Sequence, residues 1–298
     1  MSGTAKLLAS AAIVGLGFAG CNQADPKQAN EPTSAQVSTT KGGKPEAQPA
    51  PEELAARRSS GVELLRTPDG GIQPQAVVDA RGTLHLIYFK GDKAEAGDLF
   101  YVRRDVGKER FSDPIRVNSE PASAIAFGSM RGGQITLGKA GRVHVAWNGS
   151  GKNERTSGMF YAHLNDAGTA FEEQRNLMQS TTLLDGGGSV AADCLGNVYV
   201  VWHATKKNGA QDEEHRQVWV ARSADEGKNL SKEATAWTEA TGACGCCGLR
   251  AFADGKGSVY VLYRSATAEV NRDMYLLTSK DKGKSFQGGL IHKWKVPG

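Results

Sequence analysis

The sequence lacks the features by which several classes of protein are recognised. Its net charge is only +4 over 298 residues, and no basic run is interleaved with aromatic residues, so nucleic acid is not expected as a partner. Cysteine is scarce, with five in the whole chain and only Cys21 in its first half. The apolar stretch Leu7–Ala19 is too short to cross a membrane as a helix.

Residues 1–21 have the pattern of a secretion signal. Lys6 is the only charge ahead of the apolar stretch Leu7–Ala19, whose length is typical of a signal peptide. The segment ends in the letters FAGC, which resemble the lipobox of bacterial lipoproteins, and this implies that Cys21 is lipidated and becomes the new N-terminus. The following Asn22 resembles the outer-membrane default of Gram-negative lipoproteins. We therefore expect a lipid-anchored protein of the bacterial envelope, on the periplasmic or surface side; a plain secretory signal is the alternative.

Residues 22–60 contain hardly any bulky apolar side chain. Gln, Ala, Pro, Ser, Thr, Lys and Glu dominate the segment, and such a composition cannot bury enough apolar surface to offset the entropy lost on ordering. The sequence predicts a disordered tether here, between Cys21 and a folded domain of residues 61–298.

Residues 61–298 contain one unit repeated four times. Each copy has a turn glycine followed by a short apolar run that ends in an aromatic residue. The glycines are spaced by 59, 55 and 61 residues and are Gly82, Gly141, Gly196 and Gly257; the aromatic residues are Tyr88, Trp147, Trp202 and Tyr263. A near-constant period indicates one repeated supersecondary unit, and the short apolar runs between turn residues predict strands. Four-stranded antiparallel sheets repeated radially form a β-propeller, so the expected fold class is all-β; a β-sandwich is the alternative.

A second motif recurs in the turn between the third and fourth strands of each unit. It has an aspartate and a glycine two residues later, followed in the first, second and fourth copies by Phe111, Phe171 and Phe286. The aspartate accepts backbone N–H groups, the glycine supplies a positive φ, and the aromatic residue packs the hairpin down. The four aspartates are Asp105, Asp166, Asp225 and Asp281. The motif resembles the Asp-box of sialidases, the bacterial neuraminidase repeat. That resemblance implies a sialidase-like β-propeller with these turns on the face opposite the active site.

The two ends of the repeat region pose a question of strand number. Val62–Arg66 and Leu290–Val296 both look like outermost strands, and both cannot complete the fourth sheet. Sialidase-like propellers have six blades and close with a strand from the start of the domain. The resemblance therefore implies a six-bladed propeller truncated at Gly298 by one or two blades; a closed four-bladed ring is the alternative.

Four cysteines lie in the repeat region. Cys194 falls in the turn between the first and second strands of the third unit, on the lower face and about a strand length from the others, and is expected to be a buried free thiol. The remaining three are Cys244, Cys246 and Cys247. They cluster on the opposite, upper face, which is the face where a propeller binds its ligands. Secretion favours a disulfide for this cluster, and soft-metal binding to Cu(I) or zinc is the alternative. The second ligand pair typical of zinc sites does not follow in the sequence, so no metal and no cofactor is expected.

Polar residues near the loops of the upper face are candidates for ligand binding. They are Arg131, Asn148, His203, His215, Arg250 and Arg264. The alternative is that such side chains in long loops are simply solvated. His85 and His144 lie in the middle of apolar strands and are expected in the core.

The sialidase resemblance also implies which residues an active sialidase would need. It implies three arginines that clamp the substrate carboxylate, with a Tyr–Glu nucleophile pair and an Asp acid/base. Pro74 matches the motif of the first arginine, but the arginine position is Ile72, so sialic-acid hydrolysis is not expected. The sequence favours a non-catalytic propeller that binds a glycan or an envelope protein. The alternatives are a glycoside hydrolase with a divergent site and a thiol or metal site at Cys244–Cys247; candidate catalytic carboxylates are Asp92, Asp98, Glu213 and Glu214.

Overall fold

The computed structural model describes residues 64–92, 96–126, 132–153, 156–184, 186–268 and 270–296. The signal segment with Cys21, the tether at 22–60 and the candidate Arg131 lie outside these residues. Of the described residues, 64–67 have no regular secondary structure and Pro68–Gly70 form a 3-10 turn. No helix in this part of the chain is long and apolar enough to cross a membrane.

The described residues between 71 and 296 form four antiparallel sheets, each a meander of strands paired in chain order. The first contains β1 (Ile72–Val78), β2 (Leu84–Asp92), β3 (Ala96–Arg104) and β4 (Ile115–Arg116). The second contains β5 (Gln134–Leu137), β6 (Val143–Asn148), β7 (Met159–His163) and β8 (Arg175–Asn176). The third contains β10 (Ser189–Ala192), β11 (Val198–Lys206), β12 (Gln217–Ser223) and β13 (Ala234–Thr235), with β9 (Thr181–Thr182) added at the end of β11. The fourth contains β14 (Arg250–Ala253), β15 (Val259–Arg264), β16 (Met274–Ser279) and β17 (Gln287–His292).

The repeat read from the sequence is confirmed in the structure. The four turn glycines between first and second strands all have positive φ, from 76° to 94°, which glycine adopts without steric cost. The four equivalent aromatic residues, Tyr88, Trp147, Trp202 and Tyr263, are all at most 3% exposed. The fold is therefore an all-β propeller, and each sheet is one of its blades.

Successive blades pack face to face along the chain. A separate apolar cluster fills each interface, between the first and second, second and third, and third and fourth blades. The inner strands β1, β5, β10 and β14 lie side by side in that order. We call the upper face the side on which these inner strands begin and on which the loops from second to third strand lie.

The turns that carry the repeated aspartates differ among the blades. Asp281 accepts hydrogen bonds from the backbone N–H groups of Lys284 and Ser285 at 3.1 and 2.9 Å, and Asp225 accepts one from Asn229 at 2.9 Å. In the second blade this role falls to Asn165, which accepts from Thr169 and Ala170 at 3.0 and 3.4 Å.

The other two aspartates bond elsewhere. Asp166 pairs instead with Arg142, because the side chain one position earlier already occupies the turn. Asp105 accepts from the hydroxyl of Thr83 at 3.3 Å.

Two strand boundaries also differ from expectation. The outermost strand of the fourth blade begins at Gln287, three residues before Leu290, and ends at His292. Residues 64–66, expected to belong to an outer strand, are not in a strand. Residues 62 and 63 lie outside the described part.

Candidate functional site

A cavity on the upper face lies between the second and third blades and has a volume of about 810 Å³. It is bounded by the end of β6, the start of β7, the end of β8, β9 and the end of β11. Its polar lining consists of amides, hydroxyls and one ammonium group: Asn148, Ser150, Ser157, Asn176, Thr181, Thr182 and Lys207. Its apolar lining includes Ile125, Met178, Leu183 and Leu184.

The polar side chains of this cavity are held by neighbouring backbone groups. Asn148 donates from Nδ2 to the carbonyl oxygen of Gly186 at 2.6 Å. Asn176 donates from Nδ2 to the carbonyl of Ser157 at 2.7 Å. Lys207 donates from Nζ to the carbonyl of Gln179 at 2.9 Å. These bonds fix the side-chain orientations before any ligand arrives, which lowers the entropic cost of binding.

Ser150 differs from its neighbours in the cavity. Its Oγ is buried and has no hydrogen-bond partner among the described residues. A buried hydroxyl without a partner carries an energetic cost that a ligand or a water molecule can remove. The cavity therefore presents an unsatisfied polar group beside fixed amides.

The four candidate catalytic carboxylates do not come together. Asp92 is exposed at the end of β2, and Asp98 accepts from Nδ2 of Asn118 at 2.7 Å and from the N–H of Ala122 at 2.8 Å. Glu214 accepts from the backbone N–H of Ala268. Asp92 and Asp98 thus belong to the first blade and Glu214 to the third, and none of the four lines the cavity.

Glu213 lies instead at the cysteine cluster of the upper face. Its Oε1 accepts from the N–H of Gly245 at 2.8 Å and its Oε2 from Nη2 of Arg272 at 2.9 Å. Arg216 is a further partner at 3.4 Å. With its oxygens committed to the loop and to two arginines, this carboxylate is a structural support of the cluster.

The three clustered cysteines converge on one point. The Sγ–Sγ distances are 3.2 Å for Cys244–Cys246, 3.3 Å for Cys244–Cys247 and 3.8 Å for Cys246–Cys247. A disulfide requires about 2.05 Å, and all four described cysteines are free. Cys194 is a free thiol as expected, but it is half-buried rather than buried. The disulfide favoured from the sequence is therefore absent from the described cysteines of this structure, because each pair of sulfurs in the cluster is at least 3.2 Å apart.

The surroundings of the thiols are unequal. Cys244 is buried, and burial raises the pKa of its thiol to about 12. Burial also raises the pKa of the Cys247 thiol, but the hydrogen bond of 3.3 Å from Nη1 of Arg264, the charge of Arg264 and the contacts with the other two cysteines together outweigh it, so that pKa is lowered overall. Cys246 is exposed. The cluster thus has a buried side, a cationic side and an open side.

His203 supports the loop of the cluster from below. Its Nε2 lies 3.2 Å from the carbonyl oxygen of Cys247, and burial lowers the pKa of the imidazole to about 4. With 1% of its surface exposed, His203 does not reach a ligand on the upper face.

The remaining sequence candidates are dispersed. His215 is exposed and lies 2.6 Å from Asp212, and Arg250 donates to the carbonyl of Leu249 at 3.2 Å. Arg264 lies at the cysteine cluster, and Asn148 is the candidate that lines the cavity. Sequence reasoning missed Ser150, Asn176 and Thr182, which lie in loops or two-residue strands without a repeated pattern.

No protein-family model matches the chain, and no curated protein matches it. Among solved structures, a protein of unknown function from Dyadobacter fermentans is 15% identical with a TM-score of 0.52, over 74% of this chain and 68% of that chain. The likeness shows the fold. The Hadza microbial sialidase Hz136 is 16% identical with a TM-score of 0.48, over 76% of this chain and 46% of its own. An α-L-arabinanase from Penicillium chrysogenum is 12% identical with a TM-score of 0.46, over 73% of this chain and 65% of that chain. The chain spans about half the length of the sialidase.

Proposed function

We propose that the upper-face cavity between the second and third blades binds a carbohydrate without hydrolysing it. The supporting observation is its lining, in which fixed amides and hydroxyls alternate with apolar side chains in a volume of about 810 Å³. Sugar hydroxyls both donate and accept hydrogen bonds, as amides and hydroxyls do, while the C–H faces of a sugar ring pack on apolar groups.

The absence of a carboxylate from the described lining of the cavity argues for binding over hydrolysis. Glycosidases of the usual kind place two carboxyl groups on either side of the scissile bond. None of the four candidate carboxylates lines the cavity. Asp98 and Glu213 accept hydrogen bonds from backbone N–H groups of the protein. Among the described residues, no pair of carboxyl groups lines the cavity on either side of a bound sugar.

Lys207 gives the cavity its charge preference. Its ammonium group is the one charged group in the described lining, so an oligosaccharide with a carboxylate or sulfate group gains a charge-assisted hydrogen bond there. We therefore expect acidic oligosaccharides to bind more tightly than neutral ones, with an affinity that falls as salt is raised.

A printed array of neutral, uronate-containing and sulfated oligosaccharides tests the proposal on the full chain. Lys207→Ala should weaken binding of acidic sugars about 10-fold. Lys206→Ala, an exposed neighbour that does not line the cavity, should leave binding unchanged and serves as the matched control. Release of reducing sugar from bound oligosaccharides, or a failure to bind any of them, would contradict the proposal; in the latter case an envelope protein is the ligand to seek.

We propose further that the chain is attached to the bacterial envelope through lipid on Cys21. One acyl chain gives only marginal membrane attachment, whereas two or more give stable anchoring. Metabolic labelling with a fatty acid should mark the wild-type protein. Cys21→Ser should abolish the label and release the protein from the membrane fraction. Wild-type protein that carries an unmodified Cys21 in the cell would refute this.

A further inference from the structure

The cysteine cluster has the geometry of a metal-binding site independent of the carbohydrate cavity. A triangle with sides of 3.2, 3.3 and 3.8 Å has a centre about 2 Å from each sulfur. Metal–thiolate bonds are about 2.3 Å long. A single cation placed about 1.1 Å above the plane of the three sulfurs therefore lies at bonding distance from all of them without movement of the loop.

The loop is held in place by bonds that do not involve the sulfurs. The N–H of Cys244 donates to the carbonyl of Arg264 at 2.9 Å, and that of Cys247 donates to the carbonyl of Cys244 at 3.3 Å. Glu213 accepts from the N–H of Gly245, and Arg272 in turn holds Glu213. Preorganisation of this kind spares the cost of ordering a loop on binding.

The charges around the cluster suit bound thiolates. Arg264 donates to the sulfur of Cys247 and lies 5.6 Å from the ring centroid of Trp294, which positions its guanidinium. Glu213 is the nearby carboxylate, and it is paired with Arg272 and Arg216. A positive group therefore faces the site while the negative one is neutralised.

The ligand set selects the kind of cation. Among the described residues, only the three sulfurs converge, without an imidazole or a carboxylate. Thiolates select soft ions such as Cu(I) and zinc, but zinc in structural sites takes four ligands in a tetrahedron. We propose that Cys244, Cys246 and Cys247 bind one Cu(I) ion in three-coordinate geometry. Each thiol that binds gives up its proton to solvent, and the copper does not change its oxidation state.

The exposed side of the site supplies an entry route. Cys246 is exposed while Cys244 is 1% exposed, so a Cu(I) carrier can offer its ion to Cys246 first. Transfer between thiolates then proceeds by ligand exchange into the triangle.

The test uses the full chain, reduced and handled without oxygen, and titrated with Cu(I) buffered by bicinchoninate. The chain should withdraw one Cu(I) equivalent, and X-ray absorption should show three sulfur neighbours. Cys246→Ser should weaken the affinity by more than about 100-fold, because it removes a ligand rather than a neighbour of one. This exposed position allows the change without disturbing the core.

Matched variants separate the site from general thiol chemistry. Cys194→Ser changes a thiol in the turn between β10 and β11, near the carbonyl of Gly255, and should leave the affinity unchanged. Arg264→Gln should weaken it about 10-fold, with Arg264→Lys in between. Equal effects of Cys194→Ser and Cys246→Ser would overturn the proposal. Tighter binding of zinc than of Cu(I), or a disulfide within the cluster in protein from its native compartment, would overturn it also. Glycan binding is measured separately and does not enter these outcomes.

Discussion

Asn148 and Gly186 form a hydrogen bond that joins the second blade to the entry of the third. Nδ2 of Asn148 donates to the carbonyl of Gly186 at 2.6 Å, and its Oδ1 accepts from the N–H of Gly188 at 3.4 Å. Asn148 is only 3% exposed and lines the carbohydrate cavity. One side chain therefore serves both the packing of the blades and the shape of the cavity.

Replacing Asn148 should weaken both properties. Asn148→Ala leaves the Gly186 carbonyl without this donor, and the expected loss in free energy of unfolding is about 1–3 kcal/mol. Asn148→Asp keeps the acceptor for Gly188 but turns a carboxylate oxygen toward the Gly186 carbonyl, so it should be at least as destabilising. Urea denaturation measures both changes. An aspartate variant as stable as the wild type would show that this amide does not join the blades.

Two turn glycines with positive φ, Gly168 in the second blade and Gly227 in the third, differ in the space beside them. An added Cβ at Gly227 would lie 1.8 Å from Oη of Tyr161, whereas at Gly168 it meets nothing within 4 Å. Both have positive φ, 81° and 68°. Gly168→Ala should cost about 1–2 kcal/mol from its backbone conformation. Gly227→Ala should cost about 1–3 kcal/mol more from overpacking.

The free energy of unfolding of the two variants, measured in urea, checks this difference. Equal losses would mean that the turn of the third blade does not pack on Tyr161. The Gly168 variant is the control, because it carries the same change without the contact.

The buried His144 predicts how stability depends on pH. Its Nδ1 lies 2.7 Å from Oη of Tyr161, and burial, with His163 and Arg142 nearby, lowers the pKa of the imidazole to about 3. The unfolded chain has the ordinary value of about 6.5 and binds the proton first. Stability from this residue is therefore full above pH of about 6.5 and falls as the pH drops toward about 3.

His144→Gln removes this contribution, so the free energy of unfolding of the variant should decline less steeply over that pH range than that of the wild type. Urea denaturation of both proteins at successive pH values measures the difference. Nuclear magnetic resonance of the folded wild type should find the ring neutral at pH 5. A folded-state titration of His144 near pH 6.5 would contradict the burial of an uncharged imidazole.

The repeated parts of the fold could be predicted because each repeats a local physical requirement. Gly82 and Gly196 occupy positive-φ turns, and Trp147 and Trp202 fill equivalent buried positions, so their spacing alone indicated the blades. His144 was likewise expected in the core from its place in an apolar strand. Each of these signals arises from residues that are close together in the sequence.

The sites depended on contacts that the sequence does not show. Ser150, Asn176 and Lys207 line the same cavity from three different segments of two blades. No repeated spacing in the sequence relates them. Asn165 takes the turn position expected of Asp166, because either residue can bond the turn and only the local register decides. The convergence of the three thiols likewise depends on a loop that is hydrogen-bonded to Glu213 and Arg264.

A crystal structure of the full chain soaked with its tightest-binding array oligosaccharide tests the carbohydrate proposal most directly. The proposal predicts an intact sugar in the cavity between the second and third blades, with Ser150 and Asn176 within hydrogen-bonding distance of its hydroxyls. A cleaved sugar there, or an intact one bound elsewhere while the cavity holds only water, would contradict it.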